Sequence, residues 1–91
     1  MSKKITLKSG ISATLKEMSV DEFDLCMDSI DYETKVVDGK EQTVIKNQFG
    51  ISTLWIRKGV KKADDKFIKS LSVEDRAELQ LAIQDYNSLG E

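Results

Sequence analysis

Apolar residues alternate with polar ones at the start of the chain: Ile5, Leu7, Ile11, Ala13 and Leu15 hold every second position within two short runs. Period-two alternation marks half-buried strands. Ser9-Gly10 lies between the runs and suits a tight turn, so residues 4–17 read as a β-hairpin. The period then changes. Val20, Phe23, Cys26, Met27 and Ile30 fall on one stripe at helical spacing. Ser19 and Glu22 form an S-x-x-E capping box ahead of that stripe, and Asp21 and Glu22 suit the positive end of the helix dipole. This predicts a helix over residues 20–31.

Thr34 to Ile45 has Asp38-Gly39 at its middle. A type I′ turn needs positive φ at both central residues, which makes Asp-Gly a strong hairpin signal. The flanks are short and polar, so a second hairpin here is expected to protrude or move. Residues 47–58 read as a helix ended by Gly59, a buried strand from Ile51 to Ile56 being the other reading of so short an apolar run. Asp64 or Asp65 starts a short helix through Phe67, Ile68 and Leu71. Ser72 caps a last helix over 73–88, with Asp75 in the reciprocal position. Its stripe is Leu79, Ala82, Ile83 and Tyr86, with Leu89 a candidate continuation, and it stops near Gly90. The fold class is therefore α+β: an N-terminal β-hairpin followed by three to four helices, with a second hairpin around 34–45, in a single domain over residues 1–91.

Composition agrees with a folded globule: 40% apolar, 33% charged, a net charge of -2, no proline and five glycines. A disordered chain would have fewer apolar residues and a larger net charge. The acids are grouped. Glu17, Asp21, Glu22, Asp24, Asp28, Asp31 and Glu33 follow one another without a lysine or arginine, while Arg57, Lys58, Lys61 and Lys62 form a basic run. Solvated faces account for both. No apolar run approaches the roughly 20 residues of a membrane span, and the N-terminus lacks the apolar stretch of a signal peptide. A soluble, non-membrane protein is expected.

The chemistry is sparse. There is no histidine, hence no side chain with the usual near-neutral base and commonest metal ligand. The single cysteine, Cys26, lies on the apolar stripe beside Phe23 and Ile30 in an acidic segment. That suits a core thiol rather than an activated thiolate, which wants a cationic neighbour. No phosphate-binding glycine loop or calcium loop is present. No enzyme activity, cofactor or metal is expected. Four basic charges without interleaved aromatics are a weak nucleic-acid signal.

What remains is apolar surface. At 100° per residue, Phe49, Ile56 and Val60 share one side of the 47–58 helix. Ile51, Leu54 and Trp55 share roughly the opposite side. Such a helix is either central in its domain or faces a partner. With Phe49, Ile56 and Val60 available to point inward, Ile51, Leu54 and Trp55 become candidate partner-binding residues, since tryptophan is enriched at binding hot spots. Leu25 and Leu81 lie off the stripes of their helices and join that set.

Lys4-Ile5-Thr6-Leu7-Lys8-Ser9-Gly10, a second strand with Leu15-Lys16-Glu17-Met18, and Ser19-Val20-Asp21-Glu22-Phe23 resemble the opening of small tail assembly proteins of tailed bacteriophages. Ile51-Ser52-Thr53-Leu54-Trp55-Ile56 and Leu71-Ser72-Val73-Glu74-Asp75-Arg76 resemble the later helical part of that family. The wording matches over about the first 25 residues and the layout over most of the chain. The Asp38-Gly39 insertion and the length of the middle segment lie outside the resemblance. The resemblance implies a non-enzymatic tail or baseplate assembly chaperone. It would act in the host cytoplasm by binding a tail component such as the tape measure protein, and association with itself is left open. The alternatives are a small structural subunit of the tail or baseplate, and a small regulatory protein binding nucleic acid through residues 57–62.

Overall fold

A computed structural model describes residues 2–88. The chain is α+β, and the described residues hold eight elements in the order β1 (Ser2–Thr6), β2 (Ser12–Lys16), α1 (Val20–Asp28), β3 (Tyr32–Val37), β4 (Lys40–Ile45), α2 (Gln48–Gly59), α3 (Asp65–Lys69) and α4 (Val73–Asn87). The strands make two separate antiparallel pairs, β1 with β2 and β3 with β4.

β1 and β2 align from Ser2 opposite Lys16 to Thr6 opposite Ser12. The turn closes with Leu7 N–H donating to the Ile11 carbonyl at 2.8 Å, and Gly10 supplies a φ of +96°. The alternation read in the sequence turns one face inward, where Leu7, Ala13 and Leu15 are buried and Ile5 and Ile11 pack against the core. After α2 the chain touches this hairpin again. Val60 bridges Leu15, and Lys61 N–H donates to the Thr14 carbonyl at 2.9 Å.

Both capping boxes form. Glu22 N–H donates to Ser19 Oγ and Ser19 N–H to the Glu22 carboxylate. Ser72 and Asp75 repeat the exchange, each bond at 3.1 Å. Asp64 caps α3 by accepting from Phe67 N–H at 2.8 Å. α1 stops at Asp28, short of the expected 31. Ser29 turns its hydroxyl back onto the Cys26 carbonyl, and its own carbonyl accepts from the Asn47 amide at 2.8 Å. The expected stop near Gly90 and the candidate contribution of Leu89 lie outside the described residues.

α2 is the centre of the molecule. On one side Trp55 meets Phe23 of α1 edge-to-face, centroids 5.4 Å apart. On the other α4 packs along it. A Cβ on Gly59 would come within 2.3 Å of the Ile83 side chain, so glycine permits the close approach of the two helices there. Ile51, Trp55, Ile56, Val60, Leu79 and Ile83 join Leu7, Leu15 and Cys26 in one buried cluster. The stripe expected on α1 narrows to Phe23, Cys26 and Ile30, while Val20 and Met27 are exposed. The second hairpin is built as its turn signal demands. Asp38 and Gly39 take φ of +52° and +75°, and the register runs from Tyr32 opposite Ile45 to Val37 opposite Lys40. Every residue of β3 is exposed.

Candidate partner-binding surface

The five residues proposed from the sequence separate into three groups. Trp55 is 0% exposed and Ile51 is also buried. This corrects their assignment to a partner face: the aromatic of α1 occupies the side on which they lie. Leu54 is half-buried and packs against the core. Leu25 and Leu81 remain at the surface, 51% and 62% exposed. The inward face expected of Phe49 is also corrected. Phe49 is 59% exposed while Ile56 and Val60 on the same side are buried. Phe49 sits in the first turn of α2, where the opposing turn of α4 offers Val73, Arg76 and Ala77 rather than a layer of large apolar side chains.

Gln48, Phe49 and Ser52 of α2 and Val73, Arg76, Ala77 and Gln80 of α4 line a shallow groove. Arg76 fixes its wall. Its guanidinium carbon lies 5.9 Å from the Phe49 ring centroid, and the same side chain donates to Thr53 Oγ1. The cation over the ring keeps Phe49 against the helix pair instead of letting it swing into solvent. The Ser52 hydroxyl turns back onto the Phe49 carbonyl at 2.9 Å, which leaves the groove floor with no free hydroxyl there. Val73, Ala77 and Leu81 follow one another at intervals of four along α4, one ridge of a helix. Val73 and Leu81 are exposed large apolar residues. Leu81 is among the candidates the sequence offers, and the spacing of Val73, Ala77 and Leu81 is the signal in the sequence that marks the rest of the ridge. Phe49 shares the spacing of Ile56 and Val60 and still lies outside, because helical spacing alone cannot say how far along a face the cover extends.

The ridge is held rigidly. α4 is fastened at both ends to the first hairpin. At its N-terminal end, Lys8 N–H donates to the Glu78 carboxylate at 3.2 Å. The Ser72 N–H and then the Ser9 hydroxyl hold the Asp75 carboxyl below its usual range. At its C-terminal end, buried Asn87 accepts from Met18 N–H at 2.7 Å and donates to the Ile83 carbonyl at 3.0 Å. Buried polar groups need such partners, and Asn87 supplies them for the chain where it leaves β2.

The other candidate chemistries gain little. Cys26 is wholly buried, and burial pushes its thiol above the ordinary range, away from the thiolate. Arg57 of the basic run is paired with Asp65, whose carboxyl that guanidinium lowers. Lys61 and Lys62 stay exposed in the turn after α2. Among the described residues no group of three or more His, Cys, Asp or Glu side chains could hold a metal ion, and no helix is long and apolar enough to cross a membrane. No protein-family model, curated protein or solved structure matches this chain.

Proposed function

We propose that the chain is an assembly chaperone for a phage tail or baseplate, binding a tail component such as the tape measure protein in the host cytoplasm. One observation carries the reading: the exposed ridge Val73–Ala77–Leu81 beside Phe49, on a helix braced at both ends. Apolar residues spaced by helical turns along a groove suit an amphipathic segment laid beside them. The resemblance of residues 4–23 to the opening of small tail assembly proteins supports a tail component as the client. Leu25, on the surface of α1, is a second contact in the same reading.

The test is capture of the tape measure protein after co-expression, with the folded state of each variant followed by circular dichroism. Ala77→Asp and Leu81→Asp place a charge on the ridge without touching the core. They are expected to reduce capture at least about tenfold, as hot-spot changes of ≥1.4 kcal/mol do, while helicity is unchanged. Undiminished capture by both variants would move the site elsewhere. Mass spectrometry of purified particles separates the chaperone from a structural subunit. A chaperone is absent from them, and a stoichiometric signal would favour the subunit.

A further inference from the structure

We propose that β3 is a self-pairing edge, through which two copies of this chain join their second hairpins into one four-stranded antiparallel sheet in the order β4–β3–β3–β4. The β3–β4 pair is complete by itself, and no other strand among the described residues borders β3. Its open edge carries no proline and no bulge, two of the devices that blunt an edge, and its charges, Glu33 and Lys35, are of opposite sign. The backbone alternation is fixed at the neck, where Lys46 N–H donates to the Asp31 carbonyl at 2.7 Å. Hydrogen-bonded pairs alternate with non-bonded ones in an antiparallel ladder. Asp31, Glu33, Lys35 and Val37 therefore direct their peptide groups at β4. Tyr32, Thr34 and Val36 direct theirs outward, free to pair.

Charge selects the occupant and the register. A two-fold axis through Thr34 sets Thr34 opposite the partner's Thr34 and Tyr32 opposite the partner's Val36. It also sets Glu33 opposite the partner's Lys35, and Lys35 opposite the partner's Glu33. Glu33 and Lys35 lie on one face of β3, 4.0 Å apart in the single chain. Across the axis they become a square of alternating charge, at the non-bonded positions where side chains come closest. Slipping by two residues one way sets Glu33 against the partner's Glu33 and shortens the ladder. Slipping the other way sets Lys35 against the partner's Lys35. No register of β4 on itself that respects its own backbone alternation opposes unlike charges.

The opposite face gains as well. Tyr32 and Val36 are exposed, Val36 by 71%, and Ile45 stands beside Tyr32 on β4. In the paired sheet each Tyr32 lies between its own Ile45 and the partner's Val36, the aromatic and β-branched neighbours that stabilise sheets. An isolated two-stranded hairpin is marginal in water, so pairing also adds to the support that the hydrogen bonds at the neck give this hairpin.

Sedimentation velocity of the full chain over a wide concentration range tests the proposal. A monomer–dimer equilibrium is expected, weakened by salt because the selecting pairs are exposed. Glu33→Lys and Lys35→Glu should each weaken it about tenfold, since each places like charges directly opposite. Mixing the two variants should restore dimerisation, because lysines on one β3 then meet acids on the other. Thr34→Pro removes an N–H that the hairpin does not use, so the monomer should keep its fold and lose the dimer. A chain monomeric at every concentration, a mixture that fails to associate, a dimer untouched by Thr34→Pro, or open-ended polymers would each overturn the proposal.

Discussion

The two hairpins are the same kind of element and meet opposite fates. Both are antiparallel pairs of short strands with a glycine at positive φ in the turn. Both are tied at the base by an asparagine. Asn87 joins β2 to the end of α4, through Met18 N–H at 2.7 Å and the Lys16 carbonyl at 3.5 Å. Asn47 joins the neck of the second hairpin to the end of α1, through Asp31 N–H at 3.0 Å and the Ser29 carbonyl at 2.8 Å. The first hairpin places Leu7, Ala13 and Leu15 on one face and is covered by helices. The second divides its apolar residues between two faces, Tyr32, Val36 and Ile45 on one and Val37 and Val44 on the other. It buries neither. Turn chemistry makes a hairpin; only a one-sided apolar set docks it.

If the body of the protein is held by that packing, the largest loss should come from its centre. Trp55→Ala is expected to cost ~3–5 kcal/mol, a large part of the ~5–15 kcal/mol that stabilises a typical domain. Denaturant unfolding followed by circular dichroism measures it. A Trp55→Ala protein as stable as the parent would return Trp55 to the surface and undo the contrast.

Gly59→Ala tests the close approach of α2 and α4. The added methyl meets a buried, β-branched Ile83 at 2.3 Å, and overpacking of this kind costs about 1–3 kcal/mol, well beyond the gain in helix propensity. Gly59→Ala combined with Ile83→Ala should cost less than the two single changes added together, because the Ile83 Cγ2 methyl that the new Cβ meets is gone and the two sites are coupled.

The asparagines sharpen the comparison directly. Asn87→Ala leaves the part-buried Met18 N–H without its acceptor and removes two further bonds of the amide, to the Ile83 and Lys16 carbonyls, at about 1–3 kcal/mol. Asn47→Ala acts at a half-buried neck that water can reach. It should cost only about 0.5–1.5 kcal/mol, the net value of an ordinary hydrogen bond. Its effect should appear instead as faster proteolysis within residues 32–45, where cleavage of exposed tips concentrates. Equal losses of stability from the two changes would mean that the second hairpin is docked as firmly as the first.

The smallest effect is on pH. Asp75 is held below its ordinary range, first by the Ser72 N–H and then by Ser9. A depressed carboxylate favours the folded state above the unfolded pKa and loses that contribution as pH falls through the folded one. Stability should therefore decline as pH is lowered below about 4. Asp75→Asn keeps an acceptor for the Ser72 N–H but cannot titrate. It should flatten that part of the profile in an acid titration of unfolding, whereas an unchanged slope would assign the acid sensitivity to the other lowered carboxyls, Glu22 and Asp65.

What the sequence determined by itself is what depends on neighbours three or four residues apart. Ser19 with Glu22 and Ser72 with Asp75 start helices wherever they stand, because the orphan donors they satisfy lie within the same turn. Asp38-Gly39 closes a hairpin because both residues tolerate positive φ. The alternation of Leu7, Ala13 and Leu15 already declared which face of the first hairpin turns inward. Tertiary structure decided which of two apolar faces on α2 would be covered. The answer was both: Phe23 closes over Trp55, and α4 closes over the side of Ile56 and Gly59. Phe49 stays out because that cover thins at the first turn. Trp55 falls on a candidate outer face in the sequence and inside the fold, because a helical wheel ranks faces but cannot count the elements that arrive to bury them. Burial is a sum over chain segments distant in sequence, and no local spacing contains it.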